Sequence, residues 1–183
     1  MNITLRPARP ADAEEMTRWF ADLAHLAEWG GPEVRFPLTQ DQLAAWIAEG
    51  SNPQPRLCFT EVDAADRPIG HVQFLREPAR QWARLGRFGI APERRGKGFG
   101  RALFDHAVRF AFTELDVEHL ALAVVATNER AIRLYVSSGF RDEETSSDSR
   151  MVGGRPYAVN VMGLMRSDWL RLAGARGGAT KVA

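Results

Sequence analysis

The sequence predicts a mixed α+β domain in which helices cover a central sheet. Three observations carry that prediction. Short apolar segments recur between proline and glycine turns, as strands do. Longer segments repeat their apolar residues at helical spacing. Residues 84–125 run from strand through a glycine-rich turn and a helix into a second strand, a length suited to a parallel pair with a helical crossover. The 183 residues are 45% hydrophobic and 26% charged. A chain of this size buries roughly 70% of its unfolded surface, enough for one globular domain.

In order, Ile3–Arg6 alternates apolar and polar residues and reads as a first strand, stopped by Pro7 and Pro10. Asp12 is placed to cap a helix with Glu14 and Glu15 in its first turn. Met16, Trp19, Phe20 and Leu23 continue that helix until Gly30–Gly31–Pro32 breaks it. Gln40 to about Glu49 is a second helix, with Leu43, Trp46 and Ile47 on its apolar face. Pro53 and Pro55 mark a loop. Leu57–Val62 and Ile69–Leu75 are strands joined by the turn Asp63–Pro68. In the second of them His71 and Gln73 share one face, and Val72 and Phe74 the other. His71 could serve as a base at the sheet, although a histidine in such a strand is more often structural. Pro78–Trp82 is a turn, and Arg84–Ile90 the strand that follows.

A broadly apolar helix from about Gly100 to Leu115 carries Leu103, Phe104, Ala107, Val108, Phe110, Ala111 and Phe112. Leu120–Val125 is a buried strand. Asn128 can cap the next helix, whose stripe is Ala131, Ile132, Tyr135 and Val136, closed by Gly139. Phe140 starts another strand, Glu143–Gly154 reads as an exposed hairpin loop, Tyr157–Leu164 as the last strand, and Ser167–Leu172 as a short helix. Residues 1–172 are expected to form the single domain and 173–183 a flexible tail.

The richest stretch is Arg87–Leu103, RFGIAPERRGKGFGRAL. A glycine turn opening a helix presents backbone N–H groups to an anion, and glycines let a phosphate approach closely. The spacing excludes a Walker loop, because Gly98 stands where Ser or Thr would bind magnesium. It excludes a dinucleotide fingerprint too, because Leu103 replaces the third glycine. What remains is Arg95-x-x-Gly98-x-Gly100, followed downstream by Asn128-x-x-Ala131-x-x-Leu134-Tyr135-x-x-x-Gly139-Phe140.

These two motifs, in this order, resemble the two acetyl-CoA motifs of the GNAT superfamily of N-acetyltransferases. The resemblance extends over about Ile3 to Trp169. It implies the GNAT fold: a mixed, mostly antiparallel twisted sheet of six to seven strands, a splayed parallel pair at the cofactor, and helices on both faces. It implies that Phe88, Gly89 and Ile90 pair with the pantetheine arm, and that Arg95, Gly96, Lys97, Gly98, Phe99, Gly100 and Arg101 hold the pyrophosphate. Asn128 matches a position that contacts the pantetheine. Tyr135 matches the tyrosine near the sulfur, where a protonated phenol can supply the proton that the leaving thiolate needs.

Trp29-Gly30-Gly31-Pro32 and the following Phe36-Pro37 resemble a segment of the RimJ/RimL-like branch that borders the acceptor site, so Trp29 and Phe36 are candidate substrate contacts. No general base is assigned. Arg84–Ile90 holds no carboxylate, and Glu61, Glu77 and Glu93 match no position of the family.

The resulting expectation is an acetyl-CoA-dependent enzyme, an N-acetyltransferase moving an acetyl group to a primary amine by direct transfer. The acceptor would be a small molecule or a peptide: protein N-terminus, polyamine, amino sugar or another small amine. The alternative is an acyl-CoA-binding sensor without transfer. A net charge of +1 and a pI near 8.0 show none of the basic excess of a nucleic-acid binder. The single cysteine, Cys58, excludes an intrachain disulfide and argues against a cysteine metal site, so no metal is expected. No apolar span or leader pattern is visible, which points away from the membrane and to the cytoplasm. A homodimer is allowed for as the commonest soluble assembly.

Overall fold

The computed structural model describes residues 4–31, 34–48, 56–144, 150–152 and 155–178. Ile3, Pro32, Pro53, Pro55 and most of the 145–154 loop lie outside these residues.

A seven-stranded sheet has the order β1-β2-β3-β4-β5-β9-β6, with β7 and β8 forming a separate two-stranded sheet. The strands are β1 Thr4–Pro7, β2 Arg56–Val62, β3 Pro68–Glu77, β4 Trp82–Ile90, β5 His119–Val125, β6 Arg141–Glu144, β7 Arg150–Val152, β8 Arg155–Tyr157 and β9 Val159–Met165. All neighbours in the large sheet are antiparallel except β4 and β5, which are parallel. This is the mixed, mostly antiparallel sheet that the two motifs imply.

The helices are α1 Asp12–Met16, α2 Leu23–Gly30, α3 Gln40–Ala48, α4 Phe99–Thr113, α5 Glu129–Ser137 and α6 Arg166–Gly178. Leu103, Phe104, Ala107, Val108, Ala111 and Phe112 of α4 are buried with Tyr135 of α5 against Val72, Phe74, Leu85, Leu120 and Leu122 of the sheet. The opposite face is covered by a second core containing Met16, Trp19, Leu26 and Leu43, with Trp29 and Trp46 packed against it.

Five expectations need correction. The first helix is not continuous: α1 passes into a 3-10 turn at Thr17–Trp19, Phe20 is extended, and α2 restarts at Leu23. Asp22 causes the restart, because its side chain accepts the His25 N–H at 2.9 Å as an N-cap. Asp12 is no cap either, since it lies in the first turn of α1 after Ala11 and is 5% exposed. Its carboxylate accepts from the Arg6 guanidinium at 2.9 and 2.8 Å, from the Arg9 N–H at 2.8 Å and from Thr60 Oγ1 at 2.8 Å. Burial works against that charge, yet these bonds hold the carboxyl below its ordinary range.

Val136 is 56% exposed, so the buried stripe of α5 turns toward Tyr135 and Ser138 instead. Tyr157 belongs to β8 rather than to the last strand, and α6 runs on to Gly178 through the first residues of the expected tail.

Candidate active site

The cleft exists because β4 and β5 part company. Their parallel pairing covers Trp82–Leu85 against His119–Leu122 and then stops. Beyond that point β4 stays with β3 as far as Ile90↔Gly70, and β5 stays with β9 as far as Val125↔Val159. Each strand is held by its outer neighbour, so the gap between Gly86–Ile90 and Ala123–Val125 is built into the register. It opens a cleft of about 480 Å³, a size typical of small-molecule sites.

At one end of the cleft the chain leaves β4 through a 3-10 turn, Pro92–Arg94, and enters α4. Gly96 and Gly98 have φ of +75° and +86°, which glycine adopts without strain. Gly98 is the N-cap of α4 and offers no side-chain cap. The first N–H groups of a helix have no intrahelical partner, so this end can receive an anion. The Arg95 side chain fastens the turn, donating from Nε to the Ile90 carbonyl at 3.0 Å and from Nη2 to the Trp19 carbonyl at 3.3 Å. Arg101 bonds Asp105 at 2.9 Å and Ser137 Oγ at 2.8 Å, tying α4 to the end of α5.

Across the gap Asn128 caps α5, its side chain accepting the Ala131 N–H at 3.1 Å. The cap sets the first turn of α5 beside β5, and Tyr135 two turns later lies in the floor of the cleft. Its ring packs on Phe104 at 4.9 Å and is 7% exposed. Burial pushes the phenol above its ordinary range, which favours its protonated form near neutral pH.

The other end is aromatic. Trp29, on α2, has ring neighbours Phe20 at 4.9 Å, His71 at 5.8 Å and Trp46 at 5.9 Å. Its indole nitrogen lies so close to β4 that a Cβ on Gly89 would sit 2.7 Å from it. Only glycine fits there. Gly89→Ala is expected to displace the indole and to cost about 1–3 kcal/mol by overpacking. Denaturant titration and tryptophan fluorescence check both parts, and an unshifted spectrum with unchanged stability would contradict the close approach.

Of the expected site residues, Trp29, Phe88, Gly89, Ile90, Arg95, Gly96, Gly98, Gly100, Arg101, Asn128 and Tyr135 line this one cleft. Three side chains do not. Lys97 points to solvent, and Phe99 leaves the cleft to pack on the main core, with the Arg94 guanidinium 5.6 Å from its ring centre. Phe36 is 45% exposed in a loop that Gln42 holds through Arg35 and Pro37.

Residues that the motifs did not indicate are His25 and Glu28 of α2, Arg130 of α5 and Arg87 of β4. The i, i+3, i+4 spacing of His25, Glu28 and Trp29 was a readable signal once Trp29 had been placed. Arg87 had none. It sits at a β-bulge, where His71 pairs Gly89 but Gln73 pairs Gly86, and its φ is +46°.

Glu28 is the one carboxylate among the described lining residues. Glu93 is exposed in the turn and Glu77 ends β3, while Glu61 is buried beneath the turn beside Ile90 and Leu103. His71 is fully buried, which pushes its imidazole down to about 3, so it is neutral near pH 7. Among the described residues no group of three His, Cys, Asp or Glu could hold a metal, and no helix is long and apolar enough to cross a membrane.

A splayed parallel pair, with an uncapped helix N-terminus at one end and a buried phenol in the floor, defines an acyl-CoA-type transferase domain. Residues 2–141 match the family model described as "Acetyltransferase (GNAT) domain", and the chain belongs to the GNAT acetyltransferase family.

Over 112 residues the chain is 36% identical to the spermidine N(1)-acetyltransferase of Vibrio cholerae, a stretch covering 61% of this chain and 65% of that protein. It is 29% identical over 145 residues to the mycothiol acetyltransferase of Acidothermus cellulolyticus, covering 76% of this chain and 40% of the relative. The chain thus spans less than two thirds of the length of these relatives. Among solved structures, the Vibrio cholerae spermidine N-acetyltransferase in complex with CoA and spermine superposes with a TM-score of 0.76 at 25% identity, covering 92% of this chain and 98% of that one.

Proposed function

We propose that the protein moves an acetyl group from acetyl-CoA to a primary amine by direct attack. The observation that carries the reading is the position of the Tyr135 phenol, which lines the β4–β5 gap with its ring packed on Phe104. In this reading Phe88, Gly89 and Ile90 offer backbone groups to the pantetheine as an added strand would. The N–H groups from Arg95 to Arg101 take the pyrophosphate, with Lys97 and Phe99 contributing backbone only. Asn128 contacts the pantetheine arm. The neutral amine attacks the thioester carbonyl, the tetrahedral adduct expels the thiolate, and Tyr135 gives that sulfur its proton; the acylated nitrogen loses its extra proton to solvent, and the Tyr135 phenolate regains one from solvent.

The acceptor enters from the Trp29 side, past Glu28, whose carboxylate attracts an ammonium ion at the mouth of the cleft. The likeness to spermidine acetyltransferases supports a polyamine as the first acceptor to try. The Trp29–Pro32 segment supports placement in the RimJ/RimL-like branch. We also propose a cytoplasmic location and one N-acetyltransferase domain over residues 1–172, with a homodimer as the first assembly to test.

The second reading, an acyl-CoA sensor, is favoured by one observation: the cleft-lining part of β4 holds no carboxylate to take the proton of an ammonium. An assay of free CoA release across a panel of primary amines, with spermidine included, decides between them. The expected result is acceptor-dependent CoA release. Thermal stabilisation by acetyl-CoA with no release for any amine would instead establish the sensor.

A further inference from the structure

We propose that Gln73 is a positioning residue: it sets the tautomer of His71, and through that ring the seat of the Trp29 indole. The proposal rests on reading the Trp29 end of the cleft as the acceptor end.

The polarity of the hydrogen bonds leaves one solution. Gln73 Oε1 receives Arg87 Nη1 at 2.7 Å and Arg56 Nη1 at 3.3 Å. A guanidinium only donates, so the amide oxygen faces the arginines and the amide NH2 faces the other way. There it meets His71 Nε2 at 3.0 Å. An amide nitrogen also only donates, so His71 Nε2 is the acceptor and carries no proton. The neutral ring therefore holds its hydrogen on Nδ1. The low pKa of the buried ring agrees, with Asp12 opposing the shift and Arg87 adding to it.

The contacts close on themselves. Arg87 stacks on Trp46 at 4.0 Å, Trp46 meets Trp29 at 5.9 Å, and Trp29 meets His71 at 5.8 Å. Gln73, 1% exposed behind the cleft, joins Arg87 and His71 and so completes the circuit. Two members, Trp29 and Arg87, line the cleft. Gln73 therefore acts on the acceptor end without touching a substrate, and by the same bonds it removes His71 from the candidates for general base. Its Nε2 is engaged as an acceptor and its Nδ1 is already protonated.

Gln73→Glu tests this. A carboxylate of the same size still accepts from both arginines, but it donates nothing, so His71 must present Nε2–H to it. Nitrogen-15 NMR of the imidazole is expected to show an unprotonated Nε2 in the wild type from pH 5 to 9 and a protonated Nε2 in the variant. The Trp29 indole N–H resonance is expected to move in Gln73→Glu and in Gln73→Leu. With spermidine as the probe, KM for the amine is expected to rise about fivefold or more, while the Kd for acetyl-CoA changes less than about twofold.

A protonated Nε2 in the wild type would overturn the relay. A flipped tautomer with an unmoved Trp29 resonance would overturn the positioning role, and the NMR arms decide this even if spermidine is not acetylated. If both resonances move but acetyl-CoA affinity falls and the amine KM does not, the acceptor-end reading is the part that fails.

Discussion

Tyr135→Phe is expected to lower kcat by roughly ten- to a thousandfold, the range for losing a positioned general acid, while the Kd for acetyl-CoA is maintained. The ring would keep its packing on Phe104 and Phe140, at 4.9 and 6.3 Å, so the fold and the floor of the cleft survive. Only the hydroxyl is lost. The burial that raises the Tyr135 pKa keeps the phenol protonated throughout the neutral range, so the wild-type rate should not fall on the alkaline side through this group. Steady-state kinetics at saturating acetyl-CoA, with affinity measured by calorimetry, separate the two quantities. Unchanged turnover in the variant would remove Tyr135 from the chemistry, and loss of acetyl-CoA binding would make it a structural residue of the pocket.

The second large effect concerns stability. Glu61 is 1% exposed, and neither carboxylate oxygen has a hydrogen-bond partner among the described residues. A Cβ on Gly70 would lie 3.0 Å from Glu61 Oε2, 3.1 Å from Ile90 Cδ1 and 2.8 Å from Leu103 Cδ2, so the carboxyl shares an apolar pocket with the end of β4 and the second turn of α4. Desolvation is the cause that pushes its pKa up from 4.5 to about 7. A raised carboxyl pKa means that the folded state binds the proton more tightly than the unfolded chain. Below about pH 4.5 both states are protonated and there is no cost. As the pH climbs toward 7 the unfolded chain ionises while the folded protein resists, so stability falls, and above 7 the loss is complete at about 3 kcal/mol.

Glu61→Gln should abolish that slope and be more stable than the wild type by about that amount at pH 8, with little difference at pH 4. Urea titrations at four or five pH values read the effect. Parallel pH profiles for the two proteins would show that Glu61 is not held in its neutral form.

What was legible in the sequence is local. The strand, turn, helix, strand and helix from Trp82 to Ser137 follow from glycine positions, helical spacing and one cap. Asn128 was readable as a cap because a side-chain oxygen three residues before an N–H needs no tertiary partner. The break at Asp22 was local too. It was hidden because Met16, Trp19, Phe20 and Leu23 keep helical spacing across two short helices. Val136 was misplaced for a different reason. Spacing puts it in the stripe, but the packing of Tyr135 on Phe104 sets the rotation of α5 and leaves Val136 in solvent.

The amino-acid order alone determined the local conformation at one end of the cleft: the turn glycines, the start of α4 and the cap of α5 are set by nearest neighbours, and two spaced motifs suffice to locate them. Tertiary structure decided the rest. The register that holds β4 to β3 and β5 to β9 opens the cleft, and no residue in either strand announces it. Gly89 read as a backbone contact, and it is also the slot for an indole that arrives from a helix sixty residues earlier. The protonation states of Glu61 and His71 belong to this second group. A carboxyl or an imidazole in a strand pattern has its ordinary pKa until the fold removes its water, and that depends on Leu103, Ile90 and Trp29, which meet those side chains only when the chain is folded.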